Sequence, residues 1–345
     1  MKKLMVIPLV AAGMAAMVGC SKTPVKEAAK NDAINLANLD TAVAPGTDFY
    51  QYACGGWMKN NPLKPEYARF GIFDQLRDNN QEQIRTLIEG LSETPGQEGS
   101  VGQKIGMLFA MGMDSVKLNE DGYAPIKDQL AEINKLGTKD ELTKMVATLH
   151  KEGMAPFFAL YVGADEKNSS MNIVQLYQAG LGMGDRDYYL LEDESSQKMR
   201  EAYKNYITRL FTLIGSSPEQ ADAAVNAIMK IERGIAEVSF SREDLRDSQK
   251  NYNKMSIEDF KAKNDLLNWD VYFESMGMMD IKYLDAKQLS FYEGLSALMK
   301  NTTLDEQKYY LTFNLLSSAA PYLSDPFVAA DFDCLLYTSD AADEL

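Results

Sequence analysis

Histidine is almost absent from this 345-residue sequence: His150, in T-L-H-K-E-G, is the only one. One imidazole cannot build a metal centre that takes two, and no nucleophile elbow is present to recruit His150 into a Ser-His-Asp arrangement. Cysteine is nearly as scarce. Cys20, Cys54 and Cys334 are too few for a disulfide framework or a thiolate metal cluster. Basic residues are in deficit, 35 against 50 acidic, for a formal net charge of -15. Such a balance excludes nucleic acid as a partner and broad contact with anionic lipid. No repeat of about 20 to 50 residues runs through the chain, so a solenoid is excluded as well. What remains is a sequence with 46% hydrophobic residues, an ordinary share for a globular core. Its length suffices for one large domain or two smaller ones.

The front end reads separately from the rest. Lys2 and Lys3 precede an apolar run from Leu4 to Val18, interrupted by Pro8 and Gly13. This is the pattern of a signal peptide, residues 1–19, too short and too weakly flanked for a spanning helix. It ends Met17-Val18-Gly19-Cys20-Ser21. Small residues just before a cysteine resemble the cleavage box of lipoproteins, so Cys20 is expected to become the lipidated first residue of the mature chain. Lipid there anchors a protein to a membrane without a crossing helix, which implies the cell envelope, on the periplasmic face or the cell surface. Loss of Lys2 and Lys3 leaves 33 basic against 50 acidic residues, or -17. Residues 20–39, polar and alanine-rich, read as a tether.

Beyond the tether the periodicity is mostly helical, with about eight or nine helices. Phe73, Leu76, Ile84, Leu87 and Ile88 share one face of a helix expected from Asp74 to Gly90, with Gly90 as its stop. Thr138 with Glu141 and Thr303 with Glu306 are capping boxes, and Ser217-Pro218-Glu219-Gln220 is a compact helix start. His150 falls at a helix end, where a charged imidazole favours the negative end of the dipole. Phe157 to Val162 and Asn172 to Tyr177 read as a short β-hairpin. The glycines of G-L-G-M-G-D-R-D-Y-Y-L, Gly180 to Leu190, are not a phosphate loop, because no basic residue follows in the manner of a P-loop. The charges of Ser241 to Ser256 suggest no chemistry and are expected to tie a loop by side-chain to backbone bonds.

The most distinctive stretch is Asp48 to Asp78, D-F-Y-Q-Y-A-C-G-G-W-M-K-N-N-P-L-K-P-E-Y-A-R-F-G-I-F-D-Q-L-R-D. Phe49, Tyr50, Tyr52, Trp57, Tyr67, Phe70 and Phe73 imply a well-buried surface. Gly55-Gly56 before Trp57 suggests a turn where backbone and ring lie close, and Pro62 and Pro65 hold the next segment extended. This stretch resembles the opening of the neprilysin family of zinc metallopeptidases. Further resemblance lies in G-L-G-M-G-D-R-D-Y-Y, in Arg246-Asp247 and Tyr252-Asn253-Lys254-Met255, and in P-Y-L-S-D-P-F-V-A-A-D-F-D, Pro321 to Asp333. It covers about residues 40–333.

The resemblance implies a mainly α fold: a large multi-helix domain with a short β-hairpin, plus an N-terminal segment that belongs with a catalytic half. Residues 40–78 are then the segment packing with that half, and residues 79–333 a helical, lid-like domain over a closed chamber. It implies a zinc endopeptidase acting on oligopeptides. The family's zinc is held by H-E-x-x-H and a further glutamate, which this sequence does not contain. The chain therefore reads as the N-terminal part of a longer enzyme, inactive and metal-free alone, with the C-terminal catalytic domain as its missing partner. The rival expectation is a non-enzymatic helical surface lipoprotein acting as a binding module. Carried over from the family's R-x-x-x-F-D motif, Arg69 and Asp74 in R-F-G-I-F-D would line the substrate site. Arg69 would hold a peptide's terminal carboxylate, and Asp74 would orient it or cap the following helix. Gly46-Thr47 stand where relatives often carry a cysteine. Cys54 matches a family cysteine whose partner would lie downstream of this chain. After Asp333 the resemblance stops, and residues 334–345 read as non-native sequence.

Overall fold

The structure, a computed structural model, describes residues 35–63 and 69–343, with side chains as far as Cys334. The signal peptide, Cys20, most of the tether, Pro65, Tyr67 and the tail side chains after Cys334 lie outside the described residues. No described helix is long and apolar enough to cross a membrane. The chain divides into two compact units, one ending at Asn79 and one beginning at Asn80.

The first unit contains a short 3-10 turn (Leu36–Asn38), helix α1 (Phe49–Asn60) and the opening turns of α2 (Ile72–Glu93). Asp48 caps α1, its Oδ1 accepting the Gln51 N–H at 2.9 Å. Gly55 and Gly56 form no turn; they lie inside α1. A Cβ at Gly56 would stand 2.4 Å from the Ala37 carbonyl oxygen, and one at Gly55 would stand 2.8 Å from Asp40 Cβ. The preceding segment crosses the helix at these two positions, held by the Asp40 N–H on the Tyr52 carbonyl and by Gln51 Nε2 on Asp40 Oδ2. Each interior glycine costs the helix about 0.5–1 kcal/mol, and the close crossing offsets it. Gly90 is likewise no stop, since α2 runs on to Glu93.

In the second unit α3 (Val101–Met113), α4 (Ser115–Asp121), α5 (Lys127–Lys135) and α6 (Lys139–Lys151) precede a hairpin of β1 (Phe158–Asp165) and β2 (Asn168–Gln178). Then follow α7 (Asp187–Leu190), α8 (Glu194–Leu213), α9 (Pro218–Val238), β3 (Lys254–Ser256) and α10 (Ile257–Lys263). The chain closes with α11 (Trp269–Met276), β4 (Tyr283–Ala286), α12 (Leu289–Lys300), α13 (Leu304–Ala319) and α14 (Asp325–Asp343). The fold is mainly α. Fourteen α-helices occur among the described residues rather than eight or nine. The additional ones are α1, masked by its glycine pair; the short α4, α7 and α11; and α14, which continues through Asp333 without a break. All three expected helix starts are present: Thr138 with Glu141, Ser217 with Gln220, and Thr303 with Glu306 make reciprocal capping boxes.

The hairpin is antiparallel, from Phe158 opposite Gln178 to Ala164 opposite Asn172. It belongs to a four-stranded sheet of order β1-β2-β4-β3, in which β4 runs parallel to β2 beside Val174–Leu176. The strands β3 and β4, of three and four residues, are too short to show a period. The Ser241 to Ser256 loop is tied down as its composition implies. Asn251 Nδ2 donates to the carbonyls of Asp244 and Asp247, and Asn253 Nδ2 to those of Lys250 and Lys287. It is also pinned to the hairpin, where buried Asp165 accepts from Tyr252 Oη at 2.9 Å and pairs with Lys254 Nζ at 2.7 Å.

Two apolar clusters fill the second unit. One surrounds the sheet with α6, α10, α11 and α12 and is dense in rings, with Phe158, Phe260, Trp269, Tyr272 and Tyr292 in mutual contact. The other lies among α7, α8, α9, α13 and α14. Helices α9 and α13 divide them. Ile231 and Ile235 face the first cluster while Ile228 and Ala236 face the second; on α13, Leu311 and Leu315 oppose Phe313 and Leu316. A helix buried on both sides carries apolar residues all round, which is why α13 shows no single face.

Candidate functional site

The Arg69–Asp74 stretch opens α2. Arg69 is exposed at the end of the extended segment, and Asp74 is half-buried at the third position of the helix. Asp74 Oδ2 reaches back to accept the Gly71 N–H at 2.9 Å, and Oδ1 pairs with Arg77 at 3.2 Å. This is the acidic half of a capping box, with Gly71 at the cap. Of the two roles expected for Asp74, the structure shows the local one, and no ion pair joins it to Arg69 among the described residues. Arg77 is the partner that sequence reading overlooked. Its three-residue spacing from Asp74 was the available signal, since such pairs face each other on a helix.

The segment behind Arg69 is ordered by a polar triangle. Trp57 Nε1 donates to Gln75 Oε1 at 3.3 Å, Gln75 Nε2 donates to Asn61 Oδ1 at 3.0 Å, and Asn61 Nδ2 donates to the Trp57 carbonyl at 2.8 Å. The Phe70 ring stacks on Trp57 with centroids 6.0 Å apart. These contacts join the end of α1 to the start of α2 and set the position from which Arg69 projects. The aromatic stretch is not the well-buried surface its composition implies. Phe49, Tyr50 and Phe73 are 68%, 66% and 83% exposed. Rings this large become buried only when another surface covers them.

A family zinc site does not fit the residues present. Among the described residues no three histidine, cysteine, aspartate or glutamate side chains converge on a point, and Cys54 and Cys334 are free thiols. His150 is committed elsewhere. Its Nδ1 lies 2.6 Å from Tyr272 Oη and its Nε2 lies 3.1 Å from the Pro156 carbonyl. The carbonyl can only accept, so Nε2 carries the proton and Nδ1 accepts from the tyrosine. The ring also packs edge-on against Phe158 and Tyr272. Burial lowers its pKa from 6.5 to about 4, so the imidazole is neutral and its expected role as a charged partner of the helix dipole is not the one it plays.

That shift gives a stability prediction. The fold favours neutral His150, so its contribution is complete above the unfolded pKa of 6.5 and is lost as pH falls toward about 4. The full loss is about 3 kcal/mol. Urea midpoints at pH 7.5 and 4.5 should therefore differ more for the unaltered protein than for His150→Gln, because the carboxylate contributions are common to both. Equal pH dependence would show that the imidazole is not the group responsible.

Residues 45–342 match the family model for the N-terminal region of Peptidase family M13. The chain belongs to peptidase family M13. This is a family of zinc metalloendopeptidases, and the neprilysin-like motifs are those of its N-terminal part. The chain is similar to mouse endothelin-converting enzyme 1, 29% identical over an alignment that covers 96% of this chain and 45% of that protein. It is also similar to the human enzyme of that name, 29% identical with 86% and 39% covered. Its fold matches a Mycobacterium tuberculosis zinc metalloprotease, Zmp1, in complex with an inhibitor, with a TM-score of 0.76 at 23% identity over 90% of this chain and 49% of that one. PepO from Lactobacillus rhamnosis matches with a TM-score of 0.66 at 20% identity, covering 87% and 49%. The chain thus spans about half the length of the M13 relatives it matches.

Proposed function

We propose that this M13 chain is the N-terminal half of a lipid-anchored zinc endopeptidase that hydrolyses oligopeptides, with the zinc-binding half following it. The observation that carries the reading is the family match over residues 45–342 by a chain that covers 45% of the mouse relative and 39% of the human one. The exposed aromatic surface of the first unit agrees with it, because Phe49, Tyr50 and Phe73 are the kind of surface a following catalytic half covers. In the second unit Leu108, Met111 and Met113 of α3 are each at least 67% exposed, another apolar face suited to such cover. In this reading the zinc comes from the second half, the helical second unit is the lid of a chamber that admits small peptides, and Arg69 faces the substrate's C-terminal side. Asp74 supports Arg69 indirectly, by holding the Gly71 turn. Reading the genomic sequence past Asp333 tests the proposal. It requires an H-E-x-x-H downstream, and an open reading frame without one would refute it. The same sequence decides whether residues 334–345 are native.

The anchor is tested independently. Growth with a clickable fatty acid should label the protein, and Cys20→Ser should remove the label. Label that survives in Cys20→Ser would place the lipid on another residue, and no label on the unaltered protein would exclude the proposed attachment to the cell envelope.

A further inference from the structure

The motif G-L-G-M-G-D-R-D-Y-Y has a structural role that the peptidase reading does not use. Glu232, in the middle of α9, is 1% exposed. Its carboxylate accepts from Tyr189 Oη at 2.7 Å and from Tyr203 Oη at 2.9 and 3.0 Å, and the Gly182 N–H points to it as well. Gly182 is required here, because a Cβ would fall 1.8 Å from Tyr203 Oη. Tyr310, the remaining tyrosine beside the acid, is occupied otherwise. It accepts from the Phe157 N–H at 3.1 Å and donates to the Gly180 carbonyl at 2.8 Å. Phe157 is fully buried and has a φ of 67°, a conformation that a bulky residue adopts only under constraint.

This strained and buried node borders a cavity of about 460 Å³. Met154, Leu181 and Phe313 supply apolar wall, Asn314 and Ser318 supply hydrogen-bonding groups, and Glu232 is the single ionisable side chain that lines it. No lysine, arginine or histidine is among the lining residues. The three donors leave one of the roughly four lone-pair sites of the Glu232 carboxylate open and its charge without a counter-ion, whereas buried charges are ordinarily paired. We infer that this cavity binds a small organic ammonium ion, with Glu232 as the counter-charge and the Gly180–Gly184 loop as one wall. The ammonium is the shared chemistry of a peptide N-terminus and of a lysine side chain. The inference does not depend on the peptidase reading.

The groups facing Glu232 are Tyr189 from α7, Tyr203 from α8 and Tyr310 from α13, all neutral in the ordinary pH range. Burial raises the pKa of Glu232 to about 7, so an arriving cation competes with a proton. Affinity should fall about tenfold for each pH unit below 7 and level off above it.

The test is calorimetric titration of the whole chain at pH 8 and pH 6 with three probes. Phenylalaninamide carries an N-terminal ammonium, N-acetyl-lysine methylamide carries a side-chain ammonium, and N-acetylphenylalaninamide carries neither. One or both ammonium probes should bind, and which of them binds identifies the source. The lysine probe should bind about tenfold more tightly at pH 8 than at pH 6, and phenylalaninamide should gain less, because its own α-amine is about half deprotonated at pH 8. The acetylated control should not bind. Glu232→Gln should weaken binding at least tenfold. Ser318→Trp, at an exposed helical position on the cavity wall, should block it while leaving Glu232 and its tyrosines in place, and it decides the matter should Glu232→Gln not fold. Equal binding of the acetylated control, binding unchanged in Ser318→Trp, or no heat from either ammonium probe at millimolar concentration would overturn the inference and leave Glu232 as a latch on the glycine loop.

Discussion

Purified alone, the 345-residue chain should hydrolyse no peptide and retain no stoichiometric zinc, and co-expression with the proposed zinc-binding half should restore both. The expected contrast is all-or-none. Tight zinc needs several deprotonated nitrogen or sulfur ligands at one point, and the sole imidazole is bonded on both nitrogens, to Tyr272 and Pro156. Releasing it would uncover the aromatic cluster around Phe158. Metal analysis after dialysis and a fluorogenic peptide assay with and without chelator provide the measurement. Chelator-sensitive zinc near one equivalent in the chain alone would mean that a site exists which its residues do not reveal. A zinc-loaded but inactive co-expressed pair would break the proposed assignment of the reaction instead.

In that complete enzyme, Arg69→Ala should lower kcat/KM for short free-acid peptides roughly 10- to 150-fold, the equivalent of losing a charge-assisted hydrogen bond of about 1.5–3 kcal/mol. Amidated versions of the same peptides lack the carboxylate, should already be poor substrates and should lose little more. Lysine at the position should rescue in part, because a point charge does not reproduce the planar fork. Arg69 is exposed and makes no ion pair with Asp74 among the described residues, so the melting temperature should hold. Asp74→Asn should act in the other direction. Its carboxylate serves the Gly71 N–H and Arg77, so its loss should appear in stability before it appears in the preference for free-acid peptides. Equal losses for acid and amide in Arg69→Ala, with a lowered melting temperature, would make Arg69 a brace for the Trp57–Phe70 stack.

The parts legible in the sequence are those whose partners lie a few residues apart. The capping boxes at Thr138, Ser217 and Thr303 each close over three residues, so the residue types alone specify the hydrogen bonds. The β1–β2 hairpin, the mainly α class and the motifs that resemble the neprilysin family were readable for the same reason. The single histidine is a property of composition, and composition sufficed to rule out a two-histidine metal centre in this chain.

Tertiary structure decided what depends on residues far apart. Gly55-Gly56 carries a turn-like signature, but the segment before α1 crosses there, and close approach is what the glycines serve. His150 sits where a helix dipole would favour its charge, yet burial keeps it neutral, in a pocket closed in part by Tyr272, 122 positions away. Glu232 reads as one acid among many on an amphipathic helix. Its meaning arises only when Tyr189 and Tyr203 converge on it from α7 and α8. Local hydrogen bonds follow from neighbouring residue types, whereas burial, the strength of a charge and the uncovered face of an aromatic stretch follow from which distant surfaces meet.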